Sequence, residues 1–190
     1  MLIETLIFAL IISRLCRGRL SRLGELALRE FWLVPFALLI QSSVYWAAVR
    51  GIGLGPSWLS PVLDTVSYFL LLSFTLRNSS LPGIRWITLG ILLNSIVITL
   101  NKGLMPVDPS FLPEASRLEL LAGQGTHGLM TPLTHLSFLA DRFYLNIPGL
   151  QKQVFSIGDI LIDVGGFCLV WKTTMKNKPN IVISAKDSGM

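Results

Sequence analysis

The chain has 190 residues, a hydrophobic fraction of 52%, a charged fraction of 14% and a formal net charge of +5. Soluble globular proteins have about 25% charged residues, so this composition indicates a membrane protein and argues against a soluble domain. The basic residues punctuate apolar runs instead of forming a basic surface, which argues against a nucleic-acid partner. Cys16 and Cys168 lack metal-ligand spacing, and neither a metal nor another cofactor is expected.

Residues 2–15 form the first apolar segment, which we interpret as a retained helix. No basic residue precedes it, it carries Glu4, and no small-residue cleavage site follows it. These features differ from those of a secretory signal peptide. The segment is short for a bilayer, whose hydrocarbon core of about 30 Å requires about 20 helical residues. It is expected to span only if it is tilted or if Met1 lies among the headgroups.

Four further apolar segments predict membrane-spanning helices at residues 31–49, 58–76, 86–100 and 156–171. The sequence therefore predicts an all-α fold, an integral membrane bundle of about five transmembrane helices with an extracytoplasmic helical loop. A kink or loosened turn is expected at Pro35, because proline cannot donate a helical hydrogen bond.

The placement of tryptophan and of positive charge gives the bundle an orientation. Tryptophan prefers the membrane interface, and every tryptophan of this chain falls at or near a predicted helix end: Trp32, Trp46, Trp58, Trp86 and Trp171. With the N-terminus outside, eleven of the 16 lysines and arginines fall on the cytoplasmic side, as the positive-inside rule requires. The C-terminus and both cysteines then lie on the reducing side, so no disulfide is expected.

Three regions lie outside the predicted spans. Residues 17–30 alternate leucine with arginine and glutamate, which predicts a short interfacial helix. The outer loop, residues 102–155, predicts a lid with two helices at 113–121 and 132–140, the second capped by Thr131. We expect one transmembrane domain over residues 1–176, followed by a flexible cytoplasmic tail at 177–190.

Acidic residues inside the predicted spans indicate a binding site. Ionisable groups within a membrane are costly, so they often face an aqueous cavity and mark function. In the predicted topology, these acids and two polar residues at the end of the fourth span all lie at the outer level. We therefore expect one outward-facing pocket for an ion, a lipid headgroup or a partner, formed by Glu4, Asp64, Asn101, Lys102, Asp159 and Asp163.

Structural roles are an alternative for most of these residues. Ser156 and Asp159 match a capping box, in which the fourth residue bonds back to the first. An alternative for Asp64 is a position in the first turn of its helix, where the helix dipole favours carboxylates. A metal site at His127 and His135 would need further ligands, for which Asp141 is the nearby candidate, so loop hydrogen bonding is the simpler role for the two histidines. Asn94 in the fourth span is expected to hold helices together.

Two short motifs carry a resemblance to a known family. The segments Asn101-Lys102-Gly103-Leu104-Met105-Pro106-Val107 and Phe155-Ser156-Ile157-Gly158-Asp159 resemble hallmarks of DUF5317, a bacterial family of small multipass membrane proteins of unknown function. Lys102 stands where that family usually has glycine. The resemblance implies a protein of the bacterial cytoplasmic membrane and brings no established activity with it.

Three functions remain open on the sequence alone. The first is a binding or accessory subunit in the lipid bilayer, with a membrane-protein partner or a second copy left open. The second is a small proton- or cation-coupled transporter component. The third is a membrane-embedded enzyme acting on a lipid or peptide at the outer leaflet, with Asp159 and Asp163 as acid and base. Residues 156–159 resemble a fragment of the Gly-x-Gly-Asp motif of intramembrane aspartyl proteases. Ser156 stands in place of the first glycine, and Asp64 would be the partner aspartate.

Overall fold

The structure is a computed structural model that describes residues 2–52, 55, 58–121, 126–145 and 153–175. This part of the chain is mostly α-helical. Its six α-helices are α1 (Leu2–Leu15), α2 (Leu33–Val49), α3 (Leu59–Arg77), α4 (Ile84–Leu100), α5 (Glu114–Leu121) and α6 (Ile157–Met175). The five predicted spans begin within two residues of the observed helices, and α6 continues four residues beyond its predicted end. The predicted tail at 177–190 lies outside the described residues.

Among the described helices, α3 has both the length and the apolar composition needed to cross a bilayer, with 19 residues and a mean hydropathy of 1.5. The helices α2 and α4 are apolar but have 17 residues each. The helix α1 has 14 residues, and α6 includes Asp159, Asp163 and Lys172. Length and composition alone therefore support one span and leave the predicted five as an expectation.

The long helices pack in the spatial order α1, α6, α4, α3, α2. Glycine permits the closest contact, between α4 and α6. A Cβ atom added to Gly90 would lie 2.3 Å from the carbonyl oxygen of Gly158, and one added to Gly165 would lie 2.7 Å from that of Gly83. The backbones of the two helices thus touch where any larger residue would separate them.

Hydrogen bonds between chain segments define one end of the bundle, which we call the basic end. The backbone N–H of Arg19 and the guanidinium of Arg22 both donate to the carbonyl oxygen of Thr174, near the end of α6, over 3.1 and 2.9 Å. The side chain of Asn78, after α3, bonds both backbone groups of Arg29, before α2. The ends of α1, α3 and α6 and the starts of α2 and α4 therefore lie together.

The interfacial helix predicted at residues 17–30 is not formed. One 3₁₀ turn, Leu20–Leu23, stands in its place, between Arg17 at φ 62° and Glu30 at φ 52°. Left-handed backbone cannot continue a right-handed helix, so these two residues break the segment. The predicted kink at Pro35 is also wrong, because Pro35 is the third residue of a continuous α2. The backbone N–H groups in the first turn of a helix have no helical acceptor, so proline loses no hydrogen bond there.

The opposite end, which we call the loop end, carries the segment between α4 and α6. The helix predicted at 113–121 is present as α5, whereas the one predicted at 132–140 is wrong. Thr131 accepts a hydrogen bond from the N–H of Leu133 and donates its own N–H to the hydroxyl of Thr134, which forms turns. Only the 3₁₀ turn Ser137–Leu139 is helical there.

Short strands that the sequence did not predict organise the loop end. They are β1 (Met105–Val107), β2 (His127–Leu129), β3 (Phe143–Leu145) and β4 (Gln153–Phe155). Strands β1 and β2 pair in parallel, and β3 and β4 pair antiparallel. Val107 also forms a bridge to Asp141, which brings this acid back over the helix ends.

Candidate functional site

A cavity of about 320 Å³ opens at the loop end, between the helices and the β1–β2 pair. Three carboxylates line it: Asp64 of α3, Asp159 of α6 and Asp141 of the loop. The other polar side chains of the lining are Gln41, Ser42, Tyr45, Tyr68, Asn94, Thr126 and His127. The site therefore draws on α2, α3, α4, α6 and a loop that β-pairing holds in place.

Asp159 is fixed by the local sequence and by α4. Its Oδ2 accepts hydrogen bonds of 2.9 Å from the backbone N–H and the hydroxyl of Ser156, while the N–H of Asp159 donates to that hydroxyl at 3.0 Å. This arrangement confirms the predicted capping box. Its Oδ1 accepts a bond of 2.9 Å from the side-chain amide of Asn94. Asn94 thus joins α4 to α6, in agreement with its predicted role.

Asp141 was considered from the sequence only as a further ligand beside His127 and His135, and not as a member of the predicted pocket. It is 4% exposed, and its backbone is held by Pro106 and Asp108 through hydrogen bonds of 3.0 and 2.9 Å. Its Oδ2 lies 3.6 Å from Nε2 of His127, while its buried Oδ1 has no hydrogen-bond partner. Burial, with a further contribution from Asp159, raises the pKa of the Asp141 carboxyl to about 8.

Asp64 is buried and faces the same cavity. It is the sixth residue of α3, so the alternative that placed it in the first turn is wrong. Tyr68 lies one turn further along α3, on the same face. This part of the sequence prediction, an acid of the third helix directed to the same space as Asp159, agrees with the structure.

Asp163 lies on the side of α6 that faces α1, the helix to which Glu4 belongs. The hydroxyl of Thr5 donates to Oδ2 of Asp163 at 3.0 Å, and the amide of Gln153 donates to Oε1 of Glu4 at 2.7 Å. Asp163 lines a second cavity, which it shares with Asp159. Asp159 and Asp163 thus share a helix face as their spacing predicts, but Asp163 does not line the cavity that holds Asp64.

Asn101 and Lys102 are not brought to the acids either. The side chain of Asn101 bonds both backbone groups of His135 at 3.0 Å and so anchors the loop to the end of α4. Lys102 (φ 61°) and Gly103 (φ 84°) form a left-handed turn, and Lys102 lines a separate surface groove with His135. The six predicted ligand-binding residues therefore occupy three neighbouring places, and their binding role stays a prediction.

The chemistry of the main cavity follows from its lining. No lysine or arginine belongs to the described lining, and burial lowers the pKa of His127, which disfavours its protonated form. Within the described ranges, no group of three His, Cys, Asp or Glu side chains has a geometry that would hold a metal ion. Carboxylates therefore dominate the charged groups of the described lining.

Comparison with known proteins identifies a family that matches most of this chain. The family model described as a family of unknown function, DUF5317, matches residues 25–171, which include all three cavity acids and exclude α1. An uncharacterised protein of Thermotoga maritima is 30% identical over 123 residues, which are 64% of this chain and 70% of that protein. No solved structure is significantly similar. Because the family model covers most of the chain, the protein belongs to the DUF5317 family.

Proposed function

We propose that the protein is a multipass protein of the bacterial cytoplasmic membrane, with about five spans, whose outward-facing loop end binds a cationic ligand. Its burial pattern supports a bilayer environment. Polar side chains such as Ser67, Thr75 and Asn94 are buried between helices, whereas Phe69 is 68% exposed. A soluble protein of this size would bury its large apolar side chains.

The helix α3 has the same burial pattern along its length. Of its most apolar stretch of 18 residues, 17% is buried within the protein. A core helix of a soluble protein with the same composition would be mostly buried. Surrounding lipid would cover the apolar side chains that other helices leave open.

Charge and tryptophan support the orientation. Eight described lysines and arginines belong to the basic end, and four belong to the loop end: Arg50, Lys102, Arg117 and Arg142. The positive-inside rule assigns the basic end to the cytoplasm. Trp46 and Trp58 at one end, and Trp32, Trp86 and Trp171 at the other, are separated by the length of the helices, as interfacial anchors would be.

The ligand is inferred from one observation, the three carboxylates that share a cavity without a lysine or arginine in its described lining. A concave site lined by one sign of charge concentrates counter-ions. The volume of about 320 Å³ is at the lower end of the range for small-molecule sites. A binding or accessory subunit accounts for both features.

The described contacts favour binding over transport or catalysis. Hydroxyls below the cavity bond to carbonyl groups of their own helices, Ser67 to Asp64 and Thr75 to Leu72, and so form no polar pathway toward the basic end. Neither oxygen of Asp159 is hydrogen-bonded to Asp64 in the part of the chain that is described. An aspartyl dyad of the protease type would need its two carboxyl groups to share a proton.

The proposed topology is tested by cysteine labelling in intact cells. Leu133 is 86% exposed at the loop end, so a membrane-impermeant maleimide should label the Leu133→Cys variant before permeabilisation. The native Cys16, exposed at the basic end, is the internal control and should react only afterwards. Labelling of Cys16 in intact wild-type cells would reverse the proposed orientation, and labelling of both sites would contradict a membrane barrier between them.

The proposed ligand is tested by thermal unfolding of the purified full chain in detergent. Chloride salts of sodium, potassium, calcium, propylammonium and choline are compared at equal ionic strength. We expect at least one cation to raise the Tm of the wild type and not that of Asp64→Asn. If no cation does so, the cavity does not bind cations and the proposed function fails. Sodium acetate and sodium phosphate serve as anion controls.

A further inference from the structure

The main cavity is lined by three carboxyl groups, and no lysine or arginine belongs to its described lining. Nearby cations are directed elsewhere: Arg50 lies over the ring of Trp46 at 5.4 Å, and Lys102 lines the separate groove. Three carboxylates that line one concave, partly buried space disfavour one another's ionised form, because like charges repel. A cation or a proton would relieve this repulsion.

Asp141 is the most deeply buried of the three cavity acids, so burial disfavours its charged form most. Its side chain is almost completely buried, and the backbone bridge to Val107 keeps it from turning outward to water. Asp159, in contrast, is half-buried and accepts hydrogen bonds from Asn94 and Ser156. The two acids therefore differ in burial and in hydrogen bonding.

The groups around Asp141 come from four elements. They are His127 of β2, Asp159 of α6, Asp64 and Tyr68 of α3, and Tyr45 of α2. The exposed edge of His127, whose side chain is 46% accessible, gives the cavity a route to water. The buried Oδ1 of Asp141 has no partner among the described atoms, so this carboxyl group has an unsatisfied acceptor next to the cavity that its residue lines.

An organic ammonium group fits this arrangement better than a metal ion. Calcium and magnesium require several oxygen atoms at about 2.0–2.6 Å from one point, and the described residues supply no such group of three. An alkylammonium is larger, carries one charge and donates up to three hydrogen bonds. The rings of Tyr45 and Tyr68 in the lining suit it as well, since aromatic faces attract organic cations.

We propose that the cavity binds a small primary ammonium compound, and that this binding releases one proton from the Asp141 carboxyl group to solvent. The inference depends on the proposed cation-binding function and deepens it. In the exchange, the O–H bond of Asp141 breaks, the proton leaves for water, and the ammonium group keeps its own protons and pairs with the carboxylate formed. The net charge of the cavity is then the same before and after binding.

The exchange is tested on the purified full chain in a neutral detergent, in weakly buffered solution at pH 6.5 with a pH-indicator dye. Propylammonium chloride is the probe, and potassium chloride at equal ionic strength is the control. We expect close to one proton released per protein at saturation. By linkage, the apparent affinity should also rise about tenfold per pH unit between pH 5.5 and 7.5.

Two variants identify the source of the proton. Asp141→Asn should release none, whereas His127→Gln should release as much as the wild type. Release that persists in Asp141→Asn and is lost in His127→Gln would overturn the assignment to Asp141. The wild-type measurement does not depend on either variant folding, and binding of propylammonium without proton release overturns the exchange by itself.

The remaining outcomes separate this inference from the proposed function. If calcium or potassium stabilises the protein and propylammonium does not, the ligand class proposed here is wrong while the cation-binding cavity stands. If no cation binds, both proposals fail. Choline, which cannot donate a hydrogen bond from its nitrogen, should bind more weakly than propylammonium, and equal binding would contradict a hydrogen bond from the ammonium group to the Asp141 carboxylate.

Discussion

The side-chain amide of Asn94 donates a hydrogen bond of 2.9 Å to Oδ1 of Asp159, which joins the middle of α4 to the first turn of α6. The hydroxyl of Ser156 lies between them, 3.0 Å from Oδ1 of Asn94 and 2.9 Å from Oδ2 of Asp159. The three side chains form a closed network at the floor of the main cavity. An acid on the cavity wall is thus positioned by the same contacts that hold two helices together.

The first prediction concerns this network. Asn94→Ala removes the donor to Asp159 and leaves a half-buried carboxylate without one of its partners. Hydrogen bonds to charged groups are worth about 1.5–3 kcal/mol, so we expect the free energy of unfolding to fall by about 2 kcal/mol. Equilibrium unfolding in mixed micelles measures it. Leu92→Ala, on the exposed face of the same helix, should change it by less than about 0.5 kcal/mol.

The second prediction concerns the contact between α4 and α6. Gly90→Ala would place a methyl group 2.3 Å from the carbonyl oxygen of Gly158 and 3.0 Å from the backbone nitrogen of Ile162. Neither neighbour is a flexible side chain, so the helices must separate, at a cost of about 2–3 kcal/mol. Gly166→Ala is the matched control, because its nearest contacts are side-chain atoms of Leu2 and Leu6 at 3.3 Å. Equal losses in the two variants would contradict the proposed helix contact.

The helices and one part of the site were predictable because their signals are local. Apolar length and the positions of Trp32 and Trp58 identify helix ends to within a few residues. The Ser156–Asp159 capping box is a pattern of four residues, and it forms as expected. Asp64 was assigned to the correct side of the bundle from its depth in the third helix alone.

What the sequence did not reveal depends on pairing between distant segments. Asp141 reaches the cavity through its bridge to Val107, 34 positions earlier, and strands of three residues are too short to show an alternating pattern. Depth in the membrane could not separate Asp163 from Asp159, because it does not show which neighbouring helix each side chain contacts. The partners are Thr5 of α1 for Asp163 and Asn94 of α4 for Asp159.

The third prediction concerns the turn after α4. Lys102 has φ 61°, a left-handed conformation that costs a residue with a Cβ atom about 1–2 kcal/mol. Lys102→Gly removes this strain and should raise the free energy of unfolding. The expected gain is only up to about 1 kcal/mol, because glycine loses more chain entropy on folding, which offsets part of it. Gly103→Ala should lower it, because Gly103 has φ 84° and a Cβ atom there would lie 2.9 Å from Pro61. A loss of stability in Lys102→Gly would mean that the lysine side chain contributes more than the strain it causes.

The fourth prediction concerns the dependence of stability on pH. Burial raises the pKa of the Asp141 carboxyl to about 8, whereas an exposed aspartate in the unfolded chain titrates near 3.9. Between these values the folded protein binds more protons than the unfolded one, so the free energy of unfolding falls as pH rises. The stabilisation is fully present below about pH 4 and is lost by about pH 8, beyond which the contribution of Asp141 is constant.

Asp141→Asn isolates this contribution, because asparagine has a similar shape and stays neutral throughout. We expect the wild type to lose stability relative to Asp141→Asn at up to about 1 kcal/mol per pH unit between pH 5 and 7.5. Other carboxyl groups titrate in both proteins, so the difference between the two curves belongs to Asp141 and to its coupling with His127, 3.6 Å away. Parallel curves over this range would mean that Asp141 is ionised in the empty cavity, and a protein that holds no proton there has none to exchange for a cation.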